Sequence, residues 1–161
     1  MSIRPAFSIG FIITLIIIAT ALLFQYVLML EPCPLCIFER IIIITLSVIF
    51  LIGILHNPRH SLVRRLYGQI LTTTSLAGLA VAGRHVWLQN LPKDEAPECA
   101  EGLNYWINTL PLNEVIEKIF SGAGDCVKVV WKFSGFSISE WSLVIFSGFL
   151  LYGIKLFIKG Y

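Results

Sequence analysis

Four cysteines, Cys33, Cys36, Cys99 and Cys126, hold the most reactive chemistry available to this chain. A thiolate attacks disulfides and electrophiles, and two thiols within reach can give up two electrons by closing a disulfide. Cys33 and Cys36 form a C-x-x-C motif, Pro32-Cys33-Pro34-Leu35-Cys36, that runs straight into an apolar segment starting at Ile37. With that segment helical, Cys36 occupies its first turn, where unpaired backbone N–H groups and the helix dipole favour an anion. Helix-start C-x-x-C cysteines have pKa values well below the ordinary ~8.5, so the Cys36 thiolate is expected to be stabilised.

Other uses of the same residues have to be weighed. Two structural disulfides bracing external loops would also need four cysteines, as in a non-catalytic membrane subunit. A tetrathiolate metal centre needs two close pairs, and only Cys33 and Cys36 have that spacing, so no metal site is expected. Haem attachment through C-x-x-C-H is excluded because Ile37 follows Cys36. Arg40 lies four residues beyond Cys36, on the same helical face. It either snorkels to the membrane surface, paired with Glu31 or Glu39, or hydrogen-bonds the carbonyl oxygen of an electron acceptor as negative charge develops there. A dithiol at a membrane needs such an acceptor. With nothing suggesting a nucleotide, flavin or haem site, a lipid-soluble quinone is the economical choice.

The elements that position these residues follow from composition. The chain has 161 residues, of which 57% are hydrophobic and only 14% charged, with a mean hydropathy of +0.81. A soluble domain carries about 25% charged residues and one this small cannot hide so much apolar surface. Soluble enzymes, disordered tails and secreted disulfide scaffolds are thereby excluded, leaving a polytopic membrane protein in the lipid bilayer.

Ala6 to Leu30 contains no charged residue and exceeds the roughly 20 residues that a helix needs to span hydrocarbon. It is too long for a signal-peptide core and no A-x-A-like site follows, so it is read as retained. Ile37 to Leu55 spans if Glu39 and Arg40 sit in the headgroup layer, and Asn57-Pro58 ends it. Leu66 to Gly83 is softened by Thr72, Thr73, Thr74 and Ser75, whose hydroxyls can bond within the helix or across to a neighbour. Trp141 to Ile158 follows Ser137-x-x-Glu140, which reads as a capping box. The expected architecture is a single all-α membrane domain, a four-helix bundle with spans near 9–30, 37–55, 66–88 and 141–158. Loops 31–36 and 89–139 lie on one side and loop 56–65 on the other. Barrel strands would instead alternate in segments of about ten residues.

Charge sets the orientation. Arg4, Arg59, Arg64, Arg65, Lys155 and Lys159 share one side with no acid, whereas all ten acidic residues fall on the side of the cysteines. The short connections decide, and they put both termini and loop 56–65 in the cytoplasm. All four cysteines then lie on the non-cytoplasmic side, which in a bacterium is the periplasm, where disulfides persist. The net charge of +2 is split between two membrane faces and implies no nucleic acid partner.

In the long loop, Pro111 to Phe120 places Leu112, Val115, Ile116, Ile119 and Phe120 at helical spacing, giving a short amphipathic helix expected to lie on the membrane surface. Packing against the bundle is the alternative. Ser121-Gly122-Ala123-Gly124 then supplies a hinge that could carry Cys126 from Cys99 toward Cys33. Trp87, Trp106, Trp131 and Trp141 read as interfacial anchors.

Cys33-Pro34-Leu35-Cys36-Ile37-Phe38-Glu39-Arg40, Gly124-Asp125-Cys126 after an amphipathic segment, and Ser137 to Ser142 opening the last helix resemble the DsbB family of bacterial disulfide bond formation proteins. The resemblance runs from the first span to the last. It implies an inner-membrane oxidoreductase that reoxidises a periplasmic DsbA-like thiol oxidase of thioredoxin fold and passes the electrons to ubiquinone or menaquinone. It assigns Cys99 to the mixed disulfide with that partner and makes Cys126 its loop companion. Cys33 becomes the cysteine exchanging with the loop pair, Cys36 the one whose thiolate contacts quinone, and Arg40 the quinone-binding arginine. His85, in Arg84-His85-Val86-Trp87 at the end of the third span, matches a histidine near the quinone in some members. Bundles like vitamin K epoxide reductase also use C-x-x-C, but deep in a late helix rather than ahead of the second.

Overall fold

A computed structural model describes residues 4–29, 32–91, 108–111, 113–115, 117, 132–133 and 135–160. Four long helices dominate: α1 Arg4–Tyr26, α2 Pro34–His56, α3 Ser61–Gln89 and α4 Ile138–Lys159. Local signals set their ends. Cys33 caps α2, its sulfur accepting from the Cys36 amide at 3.3 Å, and Pro34 at the first helical position loses no intrahelical bond. Asn57 closes α2 in the left-handed region (φ 42°), one that asparagine tolerates better than most residues. The expected capping box opens α4: the Glu140 amide donates to Ser137 Oγ at 3.3 Å, and the Ser137 amide donates to Glu140 Oε2 at 2.6 Å.

Among the described residues three helices, α1, α2 and α4, are long and apolar enough to cross a membrane. In α3 the expected span 66–88 is helical throughout, but four consecutive hydroxyl residues lower its hydropathy. Thr72 Oγ1 donates back to the Gly68 carbonyl at 2.7 Å and Thr73 Oγ1 to that of Gln69 at 3.1 Å, so these donors need no water. Leucines and isoleucines along α1 and α2, among them Ile9, Ile12, Ile16, Leu23, Ile41, Ile52 and Leu55, point outward. That apolar exterior suits lipid. The chain is a multi-pass helical membrane protein. Helix α1 starts earlier than expected and stops at Tyr26, short of Leu30, with Met29 in a left-handed turn (φ 52°).

The helices pack α1 on α2, α2 on α3 and α3 on α4. At one end Phe7 of α1 meets Phe50 of α2, Tyr67 of α3 and Tyr152 of α4 edge-on, with ring centroids 5.4, 5.8 and 6.2 Å apart. The start of α1, the end of α4 and the α2–α3 connection therefore share this end, and the start of α2, the end of α3 and the start of α4 share the other. Helices α3 and α4 touch through backbone. A Cβ on Gly68 would lie 2.4 Å from the Phe157 nitrogen, and one on Gly153 would lie 2.8 Å from that of Thr72. Gly68→Ala should therefore cost about 1–3 kcal/mol as the helices are forced apart. A drop in the unfolding temperature in detergent would register it; an unchanged value would show that the contact is dispensable.

A two-stranded hairpin, Lys132–Phe133 with Phe136–Ser137, precedes α4 and was not expected from the sequence. Gly135 makes its turn at φ 88°, a conformation that costs glycine little.

Candidate functional site

The cysteine end of the bundle holds a buried polar network. Cys33 and Cys36 are thiols, their sulfurs 2.8 Å apart. Cys36 stands in the first turn of α2, as the motif requires. Cys33 Sγ faces His85 Nε2 from α3 at 3.7 Å. On the other side of the ring, Nδ1 lies 2.8 Å from Glu39 Oε1, and Glu39 Oε2 accepts from Ser142 Oγ of α4 at 2.6 Å. A carboxylate offers only acceptors, so it holds an imidazole proton on Nδ1 and turns Nε2 toward sulfur.

Gln89, one turn beyond His85, supports the same tautomer. Ser139 Oγ donates to Gln89 Oε1 at 2.6 Å, which turns the Gln89 amide nitrogen to the His85 Nε2 lone pair at 3.4 Å. Glu39 is only 6% exposed and His85 3%. Isolated, each would be costly inside an apolar bundle; bonded to each other and to Ser142, their polar atoms are satisfied.

Arg40 points elsewhere. Its guanidinium donates to Gln25 Oε1 at 2.5 Å and to the Ala21 carbonyl at 3.3 Å, both on α1. Its Nε is buried and has no hydrogen-bond partner among the described residues. Glu39 does not pair with it, because both carboxylate oxygens are engaged by His85 and Ser142. Glu31, the other acid considered for Arg40, lies outside the described residues.

Two expectations need correction. Glu39, expected to face the headgroups, instead turns into the bundle, because α3 and α4 bring it a histidine and a serine. The 111–120 segment was expected on the membrane surface, yet Val115 is 3% exposed, in one cluster with Cys33, Leu35, Val81 and Leu88. Asn113, Glu114 and Glu117 on its other side are exposed. The bundle mouth offers an apolar surface after all, and the helical residues 113–115 and 117 cover it. Trp87 and Trp141 are partly exposed beside the site, Trp87 under the Arg84 guanidinium at 4.1 Å. Cys99, Cys126, Trp106, Trp131 and the 121–124 hinge lie outside the described residues.

The sequence reading passed over Glu39, Gln89, Ser139 and Ser142 as site residues. One signal was legible: an acid directly after C-x-x-C-I-x in an otherwise apolar run, with Gln89 four residues beyond His85.

Fold and site together define a polytopic membrane protein with a vicinal dithiol at the mouth of a four-helix bundle, backed by a buried His–Glu pair. The family model for disulfide bond formation protein DsbB matches residues 3–156. Proteins named disulfide bond formation protein B are similar throughout: that of Methylococcus capsulatus is 43% identical over 91% of this chain and 89% of its own. That of Nitrosococcus oceani is 42% identical over 91% and 86%, and that of Marinobacter nauticus 38% identical over 100% and 95%. The chain belongs to the DsbB family of disulfide bond formation proteins.

Proposed function

We propose that the protein is a thiol:quinone oxidoreductase that generates disulfides for a soluble, DsbA-like periplasmic oxidase. Electrons enter at Cys99–Cys126, pass by thiol–disulfide exchange to Cys33–Cys36, and leave to ubiquinone or menaquinone. The observation that carries this reading is the juxtaposition of a dithiol at a helix start with an Arg40 guanidinium one turn on whose Nε is buried and unsatisfied among the described residues. A buried donor without an acceptor costs about 1–3 kcal/mol, and a carbonyl oxygen would satisfy it. Arg40 and Cys36 would hold the quinone, with His85 nearby. When bound, the quinone supplies a sink for two electrons and two protons.

The protein's own residues do the rest. His85 Nε2 offers a lone pair to the Cys33 thiol, and Glu39 keeps that tautomer in place. Exchange begins when a thiolate of the loop pair attacks the Cys33–Cys36 disulfide, and it leaves that pair reduced. Closing the pair again releases two electrons and two protons. The apolar cluster of Leu35, Val81, Leu88 and Val115 screens the sulfurs from water and so from side reactions. By the charge pattern the site faces the periplasm, with the protein in the bacterial inner membrane and both termini in the cytoplasm.

The energetic direction follows from potentials. A DsbA-type dithiol has a potential of about −120 mV, and each 30 mV of deficit costs about 1.4 kcal/mol, so exchange among protein disulfides alone would stall. Withdrawal of electrons into the membrane pool pulls the sequence forward.

Purified protein supplied with a reduced thioredoxin-fold oxidase and a soluble ubiquinone or menaquinone should reduce the quinone catalytically. Inertness toward both quinones would overturn the reading in favour of two structural disulfides. Arg40→Ala should raise the quinone KM about ten- to a hundredfold, the scale of a hydrogen bond from a charged group, while the KM for the protein partner changes little. An unchanged quinone KM would return Arg40 to a purely structural role against α1.

A further inference from the structure

We propose that the reduced site is also a zinc site, in which Cys33 Sγ, Cys36 Sγ and His85 Nε2 bind one Zn2+ and Glu39 holds the histidine from behind. The three atoms lie within 4.8 Å of one another. In tetrahedral zinc coordination with Zn–S about 2.3 Å and Zn–N about 2.0 Å, sulfur and nitrogen ligands stand about 3.5 Å apart; Cys33 Sγ and His85 Nε2 are at 3.7 Å. The two sulfurs, at 2.8 Å, would have to open to about 3.8 Å, which a rotation about one cysteine Cα–Cβ bond supplies.

The surroundings fit a metal better than the three ligands alone would. Metal-bound histidines typically donate their second ring N–H to a carboxylate, which fixes the ring and raises its basicity. The contact between His85 Nδ1 and Glu39 at 2.8 Å, with Glu39 itself held by Ser142, has that form. Two soft thiolates and an imidazole select zinc over calcium or magnesium, and the thiolates neutralise its charge in an apolar setting. Three protein ligands leave a fourth position for water.

Binding breaks two S–H bonds and forms two Zn–S bonds. Both protons leave to solvent and no electron moves. Because zinc then occupies the sulfur lone pairs that a disulfide would use, the metal holds the site reduced and must depart before oxidation. The inference needs only the dithiol state; its effect on turnover rests on the proposed function.

Co2+ serves as the probe, titrated anaerobically into the reduced full-length protein in detergent, with Zn2+ added last. We expect the bands of tetrahedral thiolate coordination at one Co2+ per chain, displaced by Zn2+, and the same result when Cys99 and Cys126 are replaced by serine. In that background Cys36→Ser and His85→Asn should each weaken binding at least tenfold, and Glu39→Gln ten- to a hundredfold. The disulfide form should bind none. Cys36→Ser changes one atom, so its result stands even if His85→Asn fails to fold. Undiminished binding by Cys36→Ser in that background, binding by the disulfide form, or absence of tetrahedral bands would overturn the proposal. Neither quinone nor protein partner enters the titration, so its outcome is independent of the test of the proposed function.

Discussion

Cys36→Ser should abolish quinone reduction, lowering turnover by at least about a thousandfold, the scale on which loss of a reacting nucleophile acts. Serine keeps the shape of the first turn of α2 but cannot close a disulfide with Cys33, so the pair loses its two-electron chemistry. Cys33→Ser should do the same for that reason, and it also removes the sulfur that accepts the Cys36 amide and faces His85. Stopped-flow measurement of quinone absorbance with a reduced thioredoxin-fold oxidase checks both. Normal rates from both variants would remove the C-x-x-C pair from the reaction, whatever its geometry.

Glu39→Ala should be the most damaging single change to the network, and through stability as well as turnover. It leaves His85 Nδ1, now bonded at 2.8 Å, without its acceptor, and leaves Ser142 Oγ only the Ile138 carbonyl at 3.2 Å. An orphaned buried donor costs about 1–3 kcal/mol, and the missing carboxylate volume adds a cavity. Glu39→Gln keeps the volume and one acceptor but turns an amide donor toward one of two donors, so its loss should be smaller. Unfolding temperatures in detergent should fall in the order wild type, Glu39→Gln, Glu39→Ala. Equal stability of all three would mean that solvent or lipid replaces the carboxylate, and that the pair does not tie α2 to α3 and α4.

Much of this arrangement could be read along the chain. Pro34 and the cysteines marked the start of α2, Asn57-Pro58 marked its end, and Ser137-x-x-Glu140 marked the start of α4, because caps and prolines act within one turn of the backbone they punctuate. The hairpin before α4 was missed because two-residue strands have no period to detect. The covering segment around Val115 was put on the membrane because an amphipathic pattern identifies an apolar face without identifying what that face meets.

The two readings of Arg40 were left open by the chain, since an arginine at a membrane boundary serves either. Around it, Glu39 is taken by His85 and Ser142, and Arg40 turns to α1 with its Nε unmet among the described residues. The proposed metal site was likewise invisible in the cysteine spacing, because its third ligand, His85, is 49 residues beyond Cys36 and arrives on a different helix.

Composition and local order thus account for a membrane bundle with a redox motif at a helix start, since hydropathy and capping depend on neighbours in sequence. Which side chains surround the sulfurs depended on three helices meeting at one mouth. Residues 39, 85 and 142 are separated by tens of positions, and no periodicity links them. Burial makes their hydrogen bonds obligatory, and the packing of α3 between α2 and α4 is what lets Glu39, His85 and Ser142 meet.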